Sequence, residues 1–459
     1  MKNRLNGDNR LRRDIGLFSA TILVIANMVG TGIFTTSGFI MAELGRPITM
    51  LLCWLCGGIF ALCGALSYGE LGARFPRAGG EYVFLRESFG RPMAFLSGWI
   101  SLIVGFSAPI AAAAIAFAAY LFQFLAIPVG DGWTFSPAGV TLITITPATF
   151  VAVGLIILFS LVHYHSLLTG SRVQNGLTIF KIVFILAFIG TGLWLGAGSF
   201  DHFRQSLPAK TLSAGQFAIS LIFVSFAYSG WNAAAYLGGE IKNPKRNIPL
   251  ALVIGTVIVI VFYLLLNIVY VYALAPTQIS GVLEIGAASA TALFGDRISR
   301  LFIGAVCLGL LSVLSAMIMA GPRVYYAMAA DGIFFNRLGR VNAKHHTPGA
   351  AIFLQAVIAV IMVLTASFNA LLIYIGFTLS LFAMLTVIGL MRIRAARPPE
   401  KDEYATPLYP LVPLLFILGN AWIIFFAITS RPAATLFGLA TMGMGLLVYL
   451  YFKKRQGRF

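Results

Sequence analysis

No charged side chain occurs between Ile15 and Met41, a run longer than the about 20 apolar residues that a bilayer-crossing helix needs. Comparable runs recur to the end of the chain. They predict twelve spans, approximately 15–42, 47–73, 92–124, 147–166, 171–198, 214–239, 248–275, 299–330, 348–368, 370–391, 408–429 and 433–452. Hydrophobic residues make up 59% of 459 positions and charged residues 10%, which suits an all-α polytopic membrane protein. The first run follows a basic tail, as in a signal peptide. It is about twice as long as the usual apolar core of such a peptide and lacks a clear cleavage site, so it reads as a retained span.

The formal charge of +17 could point to nucleic acid or to topology, and its placement decides between them. With the N-terminus inside, most of the 32 Lys and Arg fall in cytoplasmic loops and tails. The outer loops hold only Arg46, Arg204, Lys210, Arg297, Arg300 and Arg431, and Lys181 lies within a span. That is the positive-inside pattern, with both termini cytoplasmic. Nucleic acid needs no place in the account. Cys53, Cys56, Cys63 and Cys307 all lie in spans, where small apolar core residues are the simpler reading than a CxxC metal or redox site.

Two spans depart from plain apolar helix. The first carries Met28-Val29-Gly30-Thr31-Gly32-Ile33-Phe34 near its centre. Glycine weakens a helix interior, and a break at membrane depth is tolerated only where freed backbone groups line a cavity or find partners. A half-helix N-terminus favours an anion and freed carbonyls favour a cation, so together they fit a zwitterion. Alternatively, the two glycines only let a neighbouring helix approach closely. The sixth span mixes Ser225, Ser229, Gly230, Trp231 and Asn232 into its middle. It enters from the opposite side, five spans later, as expected of an inverted repeat with paired interruptions at a binding site.

Lys181 lies ten residues into the fifth span, about 15 Å deep at 1.5 Å per residue. That is close to the midplane of a bilayer core about 30 Å thick, and an ionisable group there usually faces a cavity or a partner. Ser312 and Ser315 lie in the eighth span, where they either meet a ligand or bond their own backbone. His163 and His165 read as interfacial anchors. The Phe75–Tyr82 segment, Pro/Gly-rich and charged, is either a solvated cytoplasmic loop or part of an inner gate. Spans eleven and twelve read as peripheral or oligomer-forming.

These features together resemble the amino acid–polyamine–organocation superfamily, and within it bacterial relatives of the L-type amino acid transporters. The resemblance covers nearly the whole chain. It rests on GTGIF at Gly30–Phe34, the Phe75–Tyr82 segment, RVQNGLTIFK at Arg172–Lys181, FAYSGWNAAAYLGGEIKNPKRNIP at Phe226–Pro249 and RVYYAMAADG at Arg323–Gly332. It implies a leucine-transporter-like 5+5 inverted repeat with broken helices one and six. Residues 15–198 and 214–394 would be the two repeats, 408–452 two further helices, and 1–14 and 453–459 cytoplasmic tails.

By residue, the resemblance implies a substrate site built from Met28, Gly30, Thr31, Gly32, Phe226, Ala227, Ser229 and Asn232. The carboxylate would sit on the N–H groups of Thr31 and Gly32, and the α-ammonium on the carbonyls of Met28, Phe226 and Ser229. Phe226 would close over the substrate. Lys181 would stand in for a second sodium ion, tying the first helix to the eighth near Ser312 and Ser315, so transport would be sodium-independent. Arginine-exporting members carry an acid where this chain has Asn232, and no other acidic residue is expected in the cavity, which disfavours a cationic substrate. Thr31 replaces the family's usual serine. There is no cysteine between spans three and four, so no disulfide-linked heavy subunit is expected, nor is any cofactor.

The implied activity is sodium-independent exchange of neutral L-amino acids across a bacterial inner membrane by alternating access. The alternative is proton-coupled symport with Lys181 as the titrating group. A membrane-embedded enzyme would need constellations such as HExxH, paired aspartates at helical spacing or a phosphate-binding loop, none of which occurs. A channel would usually show selectivity rings or a repeated pore loop.

Overall fold

The computed structural model describes residues 11–128, 132–136, 143–207, 213–342, 344–365, 368–430 and 432–456. Most of the basic N-terminal tail, the extreme C-terminus, Asp131, Lys210 and Arg431 lie outside the described residues.

The first expected span is two helices, α1 (Leu17–Met28) and α2 (Thr31–Leu44), bent by 41° at the break. A long α3 (Pro47–Arg74) leads through a short loop to α4 (Glu81–Phe89). The third span is α5 (Arg91–Ile100), a wide π-helical segment (Ser101–Ser107) and α6 (Ala108–Leu125). The π segment went unforeseen, because a wide helical turn leaves no signature in hydropathy; such segments frequently mark functional positions. A small antiparallel hairpin follows, β1 (Trp133–Phe135) paired with β2 (Ile143–Ile145). Then come α7 (Pro147–His165) and α8 (Leu167–Leu195).

The sixth segment is again interrupted, into α9 (Ala214–Tyr228) and the short α10 (Ala233–Tyr236). After it run α11 (Pro244–Ala273), two short helices α12 (Pro276–Ile279) and α13 (Ile285–Phe294), and α14 (Asp296–Ala320) continued by α15 (Pro322–Ala330). The last four are α16 (Gly349–Thr365), α17 (Phe368–Ala396), α18 (Leu411–Ser430) and α19 (Pro432–Gln456). Among the described residues nine helices are long and apolar enough to cross a membrane, or ten with the bent pair. Of the other two expected spans, the sixth falls short because its break leaves only the 15 residues of α9. The ninth falls short because α16 has 17.

The loops at the end of the molecule that carries Ile15, its basic face, are stitched together. The Ile15 N–H donates to Glu240 O (3.0 Å) and the Lys242 N–H to Ile15 O (2.8 Å). The Gly79 N–H donates to Tyr236 O at 3.0 Å. Ion pairs lie beside these bonds, those of Arg323–Glu240 and Arg74–Glu70 buried and that of Arg86–Asp331 half-buried. Arg323 holds Glu240 through Nε and Nη2, both at 2.9 Å, Arg86 meets Asp331 at 2.6 Å, and Glu70 meets Arg74 at 2.9 Å. Glu81 and Tyr82 are buried as well. The Phe75–Tyr82 segment is therefore only in part a solvated loop: Arg77 is exposed, whereas Ala78–Tyr82 is buried, with Gly79 against Ala327 of α15 and Gly80 against Tyr236 of α10. Hydropathy cannot distinguish a charge in water from one that meets a partner across the fold.

Span eleven corrects another expectation. Phe416, Asn420 and Ile423 of α18 line an internal cavity, so α18 is not merely peripheral. Its sequence carries no interior charge to signal this.

Candidate functional site

The two helix interruptions meet at one place. Val29 leaves helical geometry (ψ 87) after α1, and Gly30 starts α2 from an extended backbone. The two readings of the glycine pair divide between its members. Gly30 is at the break. Gly32 lies inside α2 at a close crossing, where an added Cβ would fall 2.7 Å from Ala227 Cα and 2.8 Å from its Cβ. On the facing segment Gly230 takes φ +97, and a Cβ there would meet Asn27 at 2.8–2.9 Å. Only glycine adopts that conformation cheaply. Gly32→Ala forces α2 and α9 apart in a packed interior, an overpacking cost of about 1–3 kcal/mol. We expect the variant to insert but to exchange substrate far more slowly; wild-type flux in proteoliposomes would contradict that packing argument.

Between the breaks is a cavity of about 40 Å³. Of the eight sequence-nominated residues, Met28, Gly30, Thr31, Gly32, Phe226, Ala227 and Ser229 line it. Asn232 lies in an adjoining cavity of about 110 Å³. The first N–H groups of α2 have no acceptor within their own helix and carry its positive dipole end. Opposite them, α6 and α14 contribute Pro109, Ala112, Ala113, Val313 and Met317. This wall, to which Leu310 also belongs, is apolar and uncharged, and sequence reasoning missed it because nothing distinguishes these residues from ordinary span residues.

The carbonyl side is partly engaged. The Tyr263 hydroxyl of α11 is shared between Met28 O (2.6 Å) and Ala227 O (2.9 Å), one from each broken helix. Its ring is held against Trp54 and Tyr228. Met28 O also accepts from the Gly30 N–H at 2.9 Å, and Phe226 O from the Ser229 N–H at 3.0 Å. An ammonium at Met28 O would therefore compete with Tyr263, a residue nominated by no sequence motif.

Lys181 is the middle residue of α8 and 2% exposed. Its Nζ donates to Ala26 O at 3.2 Å and to Val29 O, two carbonyls at the end of α1. Toward α14 it makes packing contact only, its stem standing 3.4 Å from where a Cβ of Gly309 would lie. The two serines are occupied elsewhere. Ser312 donates to Gly309 O of its own helix at 2.9 Å, and Ser315 meets His163 Nε2 at 2.8 Å. His163 is thus a buried link between α7 and α14 and not an interfacial anchor, a role its place near a span end concealed. His165, by contrast, is exposed.

One exclusion made from the sequence does not hold. Glu81 lines the larger cavity and accepts from Asn232 Nδ2 at 2.9 Å. It is the first residue of α4, remote in sequence from both breaks, and was assigned to a loop. Among the described residues no group of three or more His, Cys, Asp or Glu could hold a metal ion, and the four cysteines are unpaired.

Residues 15–449 match the family model described as amino acid permease. The chain is 31% identical over 456 residues to the serine/threonine exchanger SteT of Bacillus subtilis (strain 168), covering 98% of this chain and 99% of that protein. It is 31% identical over 453 residues to the b(0,+)-type amino acid transporter 1 of Mus musculus, covering 96% and 88%. It is 28% identical over 459 residues to the mouse large neutral amino acids transporter small subunit 2, covering 96% and 81%. A helical chain with many apolar helices long enough to cross a membrane, two broken helices at one cavity and a match to these transporters over nearly its whole length belongs to the amino acid permease family of the amino acid–polyamine–organocation superfamily.

Proposed function

We propose that this protein is a sodium-independent exchanger of neutral L-amino acids working by alternating access. It would act in the plasma membrane, the inner membrane of a bacterium, with both termini and the basic face cytoplasmic. One observation supports the reading: the N–H groups that begin α2 and the partly engaged carbonyls at the two helix breaks lie around one small cavity, complementary to the two ends of an amino acid. The charge-free wall of Ala112, Ala113 and Val313 favours small neutral side chains, in keeping with the serine/threonine exchanger among the relatives.

The mechanism follows from these contacts. The substrate carboxylate takes the N–H groups of Thr31 and Gly32, and its ammonium the carbonyls near Met28, Phe226 and Ser229, so occupancy bridges α2 and α9. A ligand shifts the outward–inward equilibrium only by its differential affinity for the two states, and the bridge supplies that difference. Lys181 donates to the two carbonyls that a bound cation would otherwise satisfy, which is why sodium is not required. Residues 15–198 and 214–394 act as the two repeats, and the chain works without a disulfide-linked partner, using no cofactor.

Uptake of labelled alanine, serine and leucine into preloaded proteoliposomes tests this reading. Alanine and serine flux equal in sodium and choline buffers is expected, and strict sodium dependence would overturn it. Phe226→Ala opens one side of the cavity and removes apolar contact with the substrate, worth about 1–3 kcal/mol. The apparent affinity for alanine should fall about tenfold, with insertion unchanged; an unaltered affinity would remove Phe226 from the site.

A further inference from the structure

The basic face carries several buried carboxylates, and one differs from the rest. The buried Glu70 and Glu240 and the half-buried Asp331 each meet an arginine. Glu81, 5% exposed, has no Lys, Arg or His within ion-pair distance among the described residues. Its Oε1 takes two neutral donors, Tyr68 OH at 2.7 Å and Asn232 Nδ2 at 2.9 Å. The Asn232 amide is held in turn by Tyr236 OH at 3.1 Å. A buried carboxylate without a cation is costly; it takes a proton or it meets a positive ligand.

Its position tells which ligand can reach it. The cavity that Glu81 lines adjoins the substrate cavity, and Asn27, Pro109, Ser229 and Met317 line both. Asn232, which holds the carboxylate, follows Ser229 at the second helix break by three residues. A cation arriving at Glu81 from the substrate site therefore belongs to a molecule small enough to occupy that site.

We propose that the larger cavity is an ammonium subsite in which Glu81 takes a positively charged amine of the transported amino acid. The inference rests on the exchanger reading and extends it. The amine has two sources. It is the α-ammonium of a neutral amino acid passing between the helix breaks and the basic face, or the side-chain ammonium of a basic amino acid whose α-groups stay on the breaks. Burial pushes the Glu81 carboxyl up to about 7. The polar groups facing it, Tyr68 from α3 with Asn232 and Tyr236 from α9–α10, are uncharged near that pH. The carboxylate is thus present above about pH 7 and is lost as pH falls below it, and amine binding at the basic face weakens in the same direction.

The test uses the full-length protein in proteoliposomes of one orientation. Half-saturating concentrations of alanine and of lysine are measured separately at each face. Glu81→Gln keeps an acceptor oxygen for Tyr68 and Asn232 and removes only the charge. A rise of about tenfold at the basic face for both amino acids identifies the transit source, and a rise for lysine alone identifies the side-chain source. Alanine at the opposite face should stay within twofold of wild type.

If Glu81→Gln does not fold, the wild-type protein carries the test. Its half-saturating concentration at the basic face should rise as pH on that side drops from 8 to 6, with no matching change opposite. Unchanged values for both amino acids in the variant, or a flat pH profile in the wild type if the variant is lost, overturn the subsite. Absence of any wild-type alanine exchange defeats the exchanger reading instead. Thermal stabilisation of the solubilised protein by lysine and by alanine, wild type against Glu81→Gln, then still decides the subsite: equal stabilisation refutes it and a loss in the variant supports it.

Discussion

Lys181→Ala is expected to reduce amino-acid exchange about 100-fold while leaving membrane insertion intact. The Nζ donates to Ala26 O and Val29 O, the carbonyls freed where α1 stops. Removing it leaves two buried acceptors without their donor, at a cost of about 1–3 kcal/mol each, and frees the end of α1 to shift. Misplacing a substrate-positioning element by about 1 Å suffices for a 100-fold loss. Alanine leaves no donor at all, whereas Lys181→Arg keeps a cation with a wider, forked head that cannot converge on the two carbonyls in the same way. Its flux should be intermediate. Initial exchange rates in proteoliposomes at matched protein density provide the check, and wild-type flux in Lys181→Ala would refute the assigned role.

Arg323→Ala has the largest expected effect on stability. Arg323 is 1% exposed and its bidentate partner Glu240 fully buried, so truncation strands a buried carboxylate. Breaking such a pair from one side costs about 3–5 kcal/mol. The neighbouring backbone amplifies the loss, because Glu240 O also anchors the Ile15 N–H, joining the segment before α1 to the α10–α11 loop. The single variant should lower the unfolding temperature of the solubilised protein sharply. Combining Arg323→Met with Glu240→Gln, which removes both charges, should recover much of it. Equal destabilisation by the single and double variants would show that lost packing matters there and the stranded charge does not.

The features legible in the sequence were those set by local composition. Apolar runs locate the spans because lipid forbids unsatisfied backbone. Gly30 and Gly230 betray the breaks because a helix tolerates them poorly, and Lys181 is conspicuous because a charge at mid-membrane depth is rare. What could not be read is set by contacts between distant segments. Tyr263 bridges both broken helices from the middle of an otherwise plain span. Glu81 belongs to a loop by sequence and to a cavity wall by folding. Ser315 looked available to Lys181 until α7 brought His163 against it. The π segment at Ser101–Ser107 lies on the cavity and leaves hydropathy unchanged.

Trans-stimulation measures exchange directly. Uptake of labelled alanine is followed in sodium-free proteoliposomes, empty or preloaded with unlabelled alanine, with and without an imposed proton gradient. Bridging of the two broken helices by substrate predicts strong acceleration by internal amino acid and little response to the gradient. Uptake that follows the proton gradient and ignores the internal amino acid would contradict it.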